Sequence, residues 1–131
     1  MTQEDKELLL KDLCARLPYG VKVFYSETVP ISTLKTINAE KEDCIVYDHT
    51  QWYRHTKFHI ETVKPYLRPM SSMTEEEEKE LAALYVESMN VENISSTCMC
   101  AQFYYKHHID GMGLISKGLA LEAPEDMYKE E

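Results

Sequence analysis

The stretch Val63-Lys64-Pro65-Tyr66-Leu67-Arg68-Pro69-Met70-Ser71-Ser72-Met73-Thr74 separates two parts of the chain that differ in pattern. Pro65 and Pro69 each remove a backbone donor and fix φ, so neither a helix nor a central strand is expected to run through it. The sequence therefore predicts two subdomains. The first is a helix plus a small β-barrel-like unit at residues 1–69, and the second is an acidic, mainly helical unit at residues 70–131.

The charge of the chain is concentrated in its second part. Residues 1–73 hold ten Lys and Arg and ten Asp and Glu residues, whereas residues 74–131 hold four basic and thirteen acidic ones. Because an acidic segment repels a phosphate backbone, the second part is not expected to bind nucleic acid. Apolar residues make up 44% of the chain and charged residues 28%, as in ordinary folded proteins.

The sequence predicts a cytoplasmic protein with reduced cysteines. No apolar run approaches the roughly 20 residues that span a bilayer. The start, Met1-Thr2-Gln3-Glu4-Asp5-Lys6, lacks the basic-then-apolar profile of a secretory signal. Without export, the four cysteines are expected to stay thiols, with Cys14 and Cys44 buried as small hydrophobes.

The first part predicts one helix followed by short strands. Thr2 and Asp5 resemble a capping box, and Pro18-Tyr19-Gly20 is typical of a helix end. Between them an apolar stripe recurs at helical spacing, made of Leu9, Leu10, Leu13, Cys14 and Leu17. Four strands are predicted next, at residues 21–25, 31–38, 44–48 and 51–59. A helical turn at residues 60–63 closes this part.

This order of elements indicates an α+β fold. A short helix followed by such strands resembles an SH3-like small antiparallel β-barrel, which leaves few free strand edges. An antiparallel meander packed on the first helix stays an alternative. Residues 31–38 alternate between apolar and polar side chains, but the pattern does not show which face points inward.

The second part predicts mainly helices. Thr74 as a cap, with four glutamates at residues 75–78, is typical of a helix start, and Leu81, Leu84 and Tyr85 then form an apolar stripe. The pattern at residues 97–108 fits either a helix or a strand. The remaining segments are a helical turn at 114–118, an extended apolar segment at 119–124 and a frayed tail at 126–131.

Three blocks carry a resemblance to a known family. Leu13-Cys14-Ala15-Arg16-Leu17-Pro18-Tyr19-Gly20-Val21 and residues 64–74 and 107–124 are similar to a family of small uncharacterised proteins of gut Bacteroides and related bacteria. Their genes often lie beside prophage or mobile-element genes. Residues 90–106 and 110–112 depart from the family pattern. The resemblance implies a prophage-like context, and it brings no activity, cofactor or catalytic residue.

Aromatic and basic residues alternate around the fourth predicted strand. Rings there could stack on nucleobases while cations meet phosphates, as in small barrels that bind single strands. The same alternation is ordinary for a half-buried strand whose rings pack inward, which is the preferred interpretation. The candidate nucleic-acid-binding residues are Trp52, Tyr53, Arg54, Lys57, Lys64 and Arg68.

No catalytic residue, metal or cofactor is predicted. His107-His108-Ile109-Asp110 could serve acid–base chemistry, but no nucleophile motif surrounds Ser116, so a helix end followed by a turn is favoured. The pairs His55/His59 and Cys98/Cys100 lack the further ligands of a zinc site.

The leading hypothesis is therefore a non-enzymatic accessory protein that acts by binding another protein or by self-association. Seven methionines and nine tyrosines fit adaptable contact surfaces. The alternative is a nucleic-acid-binding module that uses residues 52–59. A third class is a hydrolase that would need His107 or His108 and Asp110 in one pocket.

Overall fold

The structure is a computed structural model, and it describes residues 2–25, 31–38, 40–48, 54–90 and 94–128. It confirms the α+β class, with an N-terminal helix, a mixed open sheet and further helices.

Helix α1 (Gln3–Arg16) begins and ends as its sequence predicts. The Thr2 hydroxyl accepts a hydrogen bond from the Asp5 backbone N–H at 3.1 Å, which caps the first turn. At the other end the chain tightens into a 3-10 turn at Leu17–Tyr19, and Gly20 stops it with φ of 70°.

The inward face of α1 differs in part from the predicted stripe. Leu9 and Leu13 are fully buried, but Cys14 is exposed, so the prediction that Cys14 is buried is wrong. Asp12 and Arg16 are buried instead. They lie one helical turn apart, so the buried face of the helix passes through this charged pair and leaves Cys14 to one side.

Six strands form the sheet in the order β4-β3-β2-β1-β5-β6. Strands β1 to β4 are an antiparallel meander, while β5 pairs antiparallel with β1 and parallel with β6. Among the described strands, β4 and β6 are not paired, so the sheet is open; it matches the meander, and an SH3-like barrel is not confirmed. The strands are β1 (Lys22–Phe24), β2 (Ser32–Asn38), β3 (Asp43–Asp48), β4 (Arg54–His59), β5 (Lys64–Leu67) and β6 (Leu121–Glu122).

A bulge in β2 explains why its sequence does not reveal an inward face. Leu34 lies opposite Val46 and Ile37 lies opposite Cys44, with a register shift between them. Leu34 is buried and Ile37 packs on the core. Residues three apart point to opposite faces of a regular strand, so the bulge is what brings both to the same side.

Strand β5 contains Pro65, so the prediction that no central strand runs through the proline stretch is wrong. The strand lies between β1 and β6. Pro65 is tolerated because β6 pairs only with the two residues that follow it, Tyr66 and Leu67. Pro69 does end the extended segment, and a 3-10 turn at Met70–Ser72 follows. The predicted turn after β4 is confirmed at Ile60–Thr62.

One hydrophobic core joins segments from both sides of the proline stretch. Residues after position 69 enter it together with α1 and the sheet, and the division into two subdomains stays a prediction. The extended segment predicted at residues 119–124 contains β6, and the turn predicted at residues 114–118 ends at Gly118 with φ of 74°. The buried core consists of Leu9, Leu13, Val21, Val23, Leu34, Cys44, Ile60, Val63, Leu67, Leu114, Leu119 and Ala120.

Helices α2 (Glu75–Asn90) and α3 (Ile94–Lys106) pack on each other, and α3 also contacts α1. The segment at residues 97–108, for which helix and strand were both open, is therefore mainly helix. The start of α2 is a complete capping box. Thr74 N–H donates to Glu77 Oε1 at 3.0 Å, and Glu77 N–H donates to Thr74 Oγ1 at 3.2 Å.

Candidate functional site

Two arginines from distant parts of the chain hold the C-terminal end of α3. Arg16 Nη2 donates to the Ile109 carbonyl at 2.7 Å, and Arg68 Nη1 donates to the His107 carbonyl at 3.3 Å. His107 and Ile109 follow Lys106, the last residue of α3. The guanidinium groups therefore satisfy carbonyls of the turn that ends α3 and hold this turn against α1 and β5.

Arg16 forms a fully buried ion pair with Asp12 of the same helix. Arg16 Nε donates to Asp12 Oδ2 at 2.8 Å. Burial raises the pKa of Asp12, and the neighbouring guanidinium opposes that rise. Sequence reasoning missed this pair. The available signal was the Asp–Arg spacing of four residues, which places both side chains on one face of a helix.

Glu77 connects three segments that meet beside α3. Its two carboxylate oxygens accept from both Nη atoms of Arg68, at 2.6 and 2.8 Å, and His107 Nδ1 lies 3.2 Å from Oε2. The Arg68 hydrogen bonds are the main cause that lowers the pKa of Glu77 to about 2, and the backbone bond to Thr74 adds to it. The carboxylate thus ties the start of α2 to β5 and to the end of α3.

His108 lies two residues after the end of α3, and its ring stacks on that of Tyr128. Its φ of 59° lies in the left-handed region, and its ring centroid is 3.8 Å from that of Tyr128. The Tyr128 hydroxyl donates to the Tyr66 carbonyl at 2.7 Å and accepts from Lys22 N–H at 2.9 Å. Burial, reinforced by the positive charge of Arg16, lowers the pKa of His108 to about 4.

The prediction of a frayed tail is therefore wrong at Tyr128, because the side chain is anchored by these bonds and by the stacked ring. Residues 129–131 lie outside the described part of the chain.

Asp110 caps the turn that follows α3. Its carboxylate accepts from Leu114 N–H at 2.8 Å and from Ile115 N–H at 3.0 Å, and only 8% of the residue is exposed. The helix-end interpretation of this segment is confirmed. Each member of the candidate acid–base set has its own partner: His107 contacts Glu77, His108 stacks on the tail, and Asp110 holds backbone donors.

An apolar groove lies between α2 and α3 and continues toward the turn after α3. One cavity of about 320 Å³ lies between the helices, and a second of about 250 Å³ adjoins it, since Cys100 and Tyr104 line both. The second cavity extends to Met112 and to the buried Arg16. Hereafter the α2–α3 groove denotes the surface formed by Leu81, Ala82, Tyr85, Cys100, Ala101 and Tyr104.

Large apolar side chains around the groove remain accessible. Tyr85 is 62% exposed, its neighbour Val86 56% and Met112 55%. None of the α2 side chains from residue 75 to residue 86 is buried. Of the predicted stripe of α2, Leu81 and Leu84 are half-buried and Tyr85 faces outward.

Gly111 shapes the wall that the two cavities share. A Cβ at this position would lie 2.9 Å from the Tyr104 Cδ2 atom. The absence of a side chain therefore lets the Tyr104 ring lie directly on the backbone of the turn.

The rim of the groove is acidic along α2. Glu78 lines the larger cavity, and Glu75 is exposed one turn earlier on the same face of α2. Glu76 and Glu80 lie on the other face of the helix, where Glu80 Oε2 is 3.7 Å from His107 Nε2. Lys79 is the basic residue among them. The groove therefore combines an apolar floor with a negative edge.

The structure does not bring the six candidate nucleic-acid-binding residues into one described surface. Trp52 and Tyr53 lie outside the described residues; the backbone places Arg54 and Lys57 on β4, at one edge of the sheet, and Lys64 on β5. The sixth residue, Arg68, is committed to Glu77. A nucleic-acid surface stays a prediction.

The described part of the chain shows neither a metal-ligand cluster nor a membrane-spanning helix. Within it, no group of three or more His, Cys, Asp or Glu side chains is placed to hold a metal ion. Nor does it contain a helix with the length and apolar character needed to cross a bilayer.

No protein-family model, curated protein or solved structure matches the chain. The similarity to the Bacteroides family stays a prediction.

Proposed function

We propose that the chain is a non-enzymatic accessory protein of a prophage or mobile element in the cytoplasm, and that it acts by binding another protein through the α2–α3 groove. The observation that carries the proposal is the accessible apolar surface of the groove. Tyr85 lines the larger cavity and Met112 the smaller, and both are more than half exposed, as is Val86 next to Tyr85 in the sequence. Tyrosine and methionine are enriched at protein interfaces, and contiguous exposed apolar surface marks such sites.

The supports beneath the groove make it a preformed surface. Glu77 and Arg68 fix the start of α2, and Arg16 and Arg68 fix the end of α3. A surface that is held in shape before binding loses less conformational entropy when a partner arrives. We thus assign a structural role to Arg16, Arg68 and Glu77, and a binding role to the groove.

The test is selection of binders from a display library of random peptides, with the full chain as bait. The groove variant carries Tyr85→Glu and Val86→Glu. The matched control carries Tyr19→Glu and Ile31→Glu, which place the same charges at two other exposed apolar positions. Circular dichroism and urea unfolding establish that both variants are folded.

The wild type and the control are expected to enrich overlapping peptide families that the groove variant no longer retains. Such a loss follows because buried aromatic and aliphatic contacts dominate binding energy at interfaces. Enrichment of the same families by the groove variant, or no enrichment by the wild type, would overturn the proposal.

A further inference from the structure

We infer that the partner segment is a basic amphipathic helix that lies along the α2–α3 groove with its apolar face inward. The inference rests on the proposed function and adds the conformation and the charge of the ligand.

The conformation follows from hydrogen bonding. The groove is lined by side chains of two α-helices, whose backbone N–H and C=O groups are paired within each helix. An extended segment laid in the groove would find no strand edge there to pair with, and its own backbone groups would lose water without replacement. A helix satisfies its backbone internally and presents apolar side chains at i, i+3, i+4 and i+7.

The dimensions agree with a short helical segment. Glu78 and Tyr85 of α2 both line the larger cavity, and seven residues of helix span about 10 Å. The adjoining cavity extends the surface to Met112. A ligand of about three turns would contact both cavities.

The charge follows from the acidic edge. Glu78 lines the groove, and Glu75 is exposed one turn earlier on the same face of α2. The nearby Arg16 guanidinium does not offset them, because it is fully buried and paired with Asp12. Lys and Arg on the polar face of the ligand would therefore meet these carboxylates, which favours association and fixes orientation.

The same charges disfavour a second copy of the chain as the occupant. The chain has a formal net charge of −9, and the negative part includes α2 itself. Two copies joined through this face would bring like charges together, which costs binding energy.

The experiment uses the peptides that the wild type retains and the groove variant loses. Synthetic peptides of about 16 residues, long enough for a helix of about 24 Å, are titrated against the full chain by fluorescence anisotropy. Circular dichroism of the mixture reports helix gained on binding. The charge variant carries Glu75→Gln and Glu78→Gln, and its matched control carries Glu40→Gln and Glu122→Gln, two exposed glutamates elsewhere.

The expected result is a set of Lys- and Arg-rich peptides with apolar residues at helical spacing, which gain helicity when bound. The charge variant should bind them about tenfold more weakly than the control, and raising the salt should reduce that difference. Peptides that depend on the groove but are neutral or acidic, or that bind without gaining helix, would overturn this inference and leave the proposed function standing. A charge variant that binds as tightly as its control would also overturn the inference alone. Failure to obtain any groove-dependent peptide would overturn both the inference and the proposed function.

Discussion

Arg68 and Glu77 form a bidentate ion pair that joins the end of β5 to the first turn of α2, with Nη–Oε distances of 2.6 and 2.8 Å. Arg68 lies within the proline stretch and Glu77 just after it, so the pair closes a short segment of chain into a loop. The carboxylate is mostly removed from solvent, with 12% of the side chain exposed. Glu77 also caps α2, and the pair therefore sets where the groove-forming helix begins.

Glu77→Gln is expected to reduce stability at neutral pH and to have less effect in acid. Folding lowers the pKa of Glu77 from 4.5 to about 2, so its contribution is complete above pH 4.5 and is lost as the pH falls toward 2. The corresponding free energy is on the order of 3 kcal/mol. Glutamine can still cap the helix, so the substitution removes mainly the charge.

Urea unfolding of both proteins at about pH 7 and about pH 3 measures this difference. The gap between wild type and Glu77→Gln should narrow in acid. Glu76→Gln, at an exposed neighbouring position, is the control and should show little change at either pH. A gap that is independent of pH would contradict the role given to the carboxylate charge.

Arg16→Leu is expected to destabilise the protein by about 3–5 kcal/mol. The substitution leaves the Asp12 carboxylate buried without its cation and removes the donor to the Ile109 carbonyl. The double variant Asp12→Leu with Arg16→Leu should lose less than the sum of the single variants, because no isolated charge remains. Urea unfolding supplies all three values.

Lys11→Leu is the control for this series, since Lys11 lies on an exposed position of the same helix. Its effect should stay within about 0.5 kcal/mol. A similarly small effect of Arg16→Leu would show that the buried pair does not hold α3 in place.

The helix starts were predictable because capping is local. At Thr2 and Thr74 a side-chain oxygen needs only a backbone donor three residues away, and both caps form. The Asp12–Arg16 pair was not predictable in the same way. A spacing of four between opposite charges is ordinary on an exposed helix face, and what buries this pair is the end of α3, some 90 residues later in the chain.

Strand β5 and the α2–α3 groove also depend on contacts between segments that are far apart in the sequence. Whether Pro65 breaks a strand depends on whether a neighbouring strand needs its missing donor, and β6 pairs only with the two residues after it, Tyr66 and Leu67. The apolar stripe of α2 could be identified from its spacing, but its exposure depends on how α3 packs, and the sequence of α3 left helix and strand undecided.

His108→Phe is expected to make the protein less sensitive to mild acid. Folding lowers the pKa of His108 from 6.5 to about 4. Between these values the unfolded chain takes up a proton that the folded protein does not, so wild-type stability falls as the pH drops from 6.5 to 4. Phenylalanine retains a ring to stack on Tyr128 but does not titrate.

Between about pH 7 and pH 4 the stability of the wild type relative to His108→Phe should therefore fall by an amount on the order of 3 kcal/mol. His59→Phe is the control, because His59 is exposed. Parallel pH profiles for the wild type and His108→Phe would contradict a buried, neutral imidazole at this position.

Gly111→Ala is expected to disturb the groove more than the fold. The added methyl would lie 2.9 Å from the Tyr104 ring, so the ring must move away from the turn. Overpacking of this kind costs about 1–3 kcal/mol, and here the displaced ring belongs to the wall that both cavities share. Because Tyr104 is only half-buried, the strain should be relieved toward the groove.

Urea unfolding measures the loss of stability in Gly111→Ala, and titration with the peptides selected by the wild type should show binding weakened about tenfold or more. Ser116→Ala, on the following turn and outside the groove lining, is the control and should bind as the wild type does. If Gly111→Ala binds those peptides with unchanged affinity, the Tyr104 wall is not part of the binding surface.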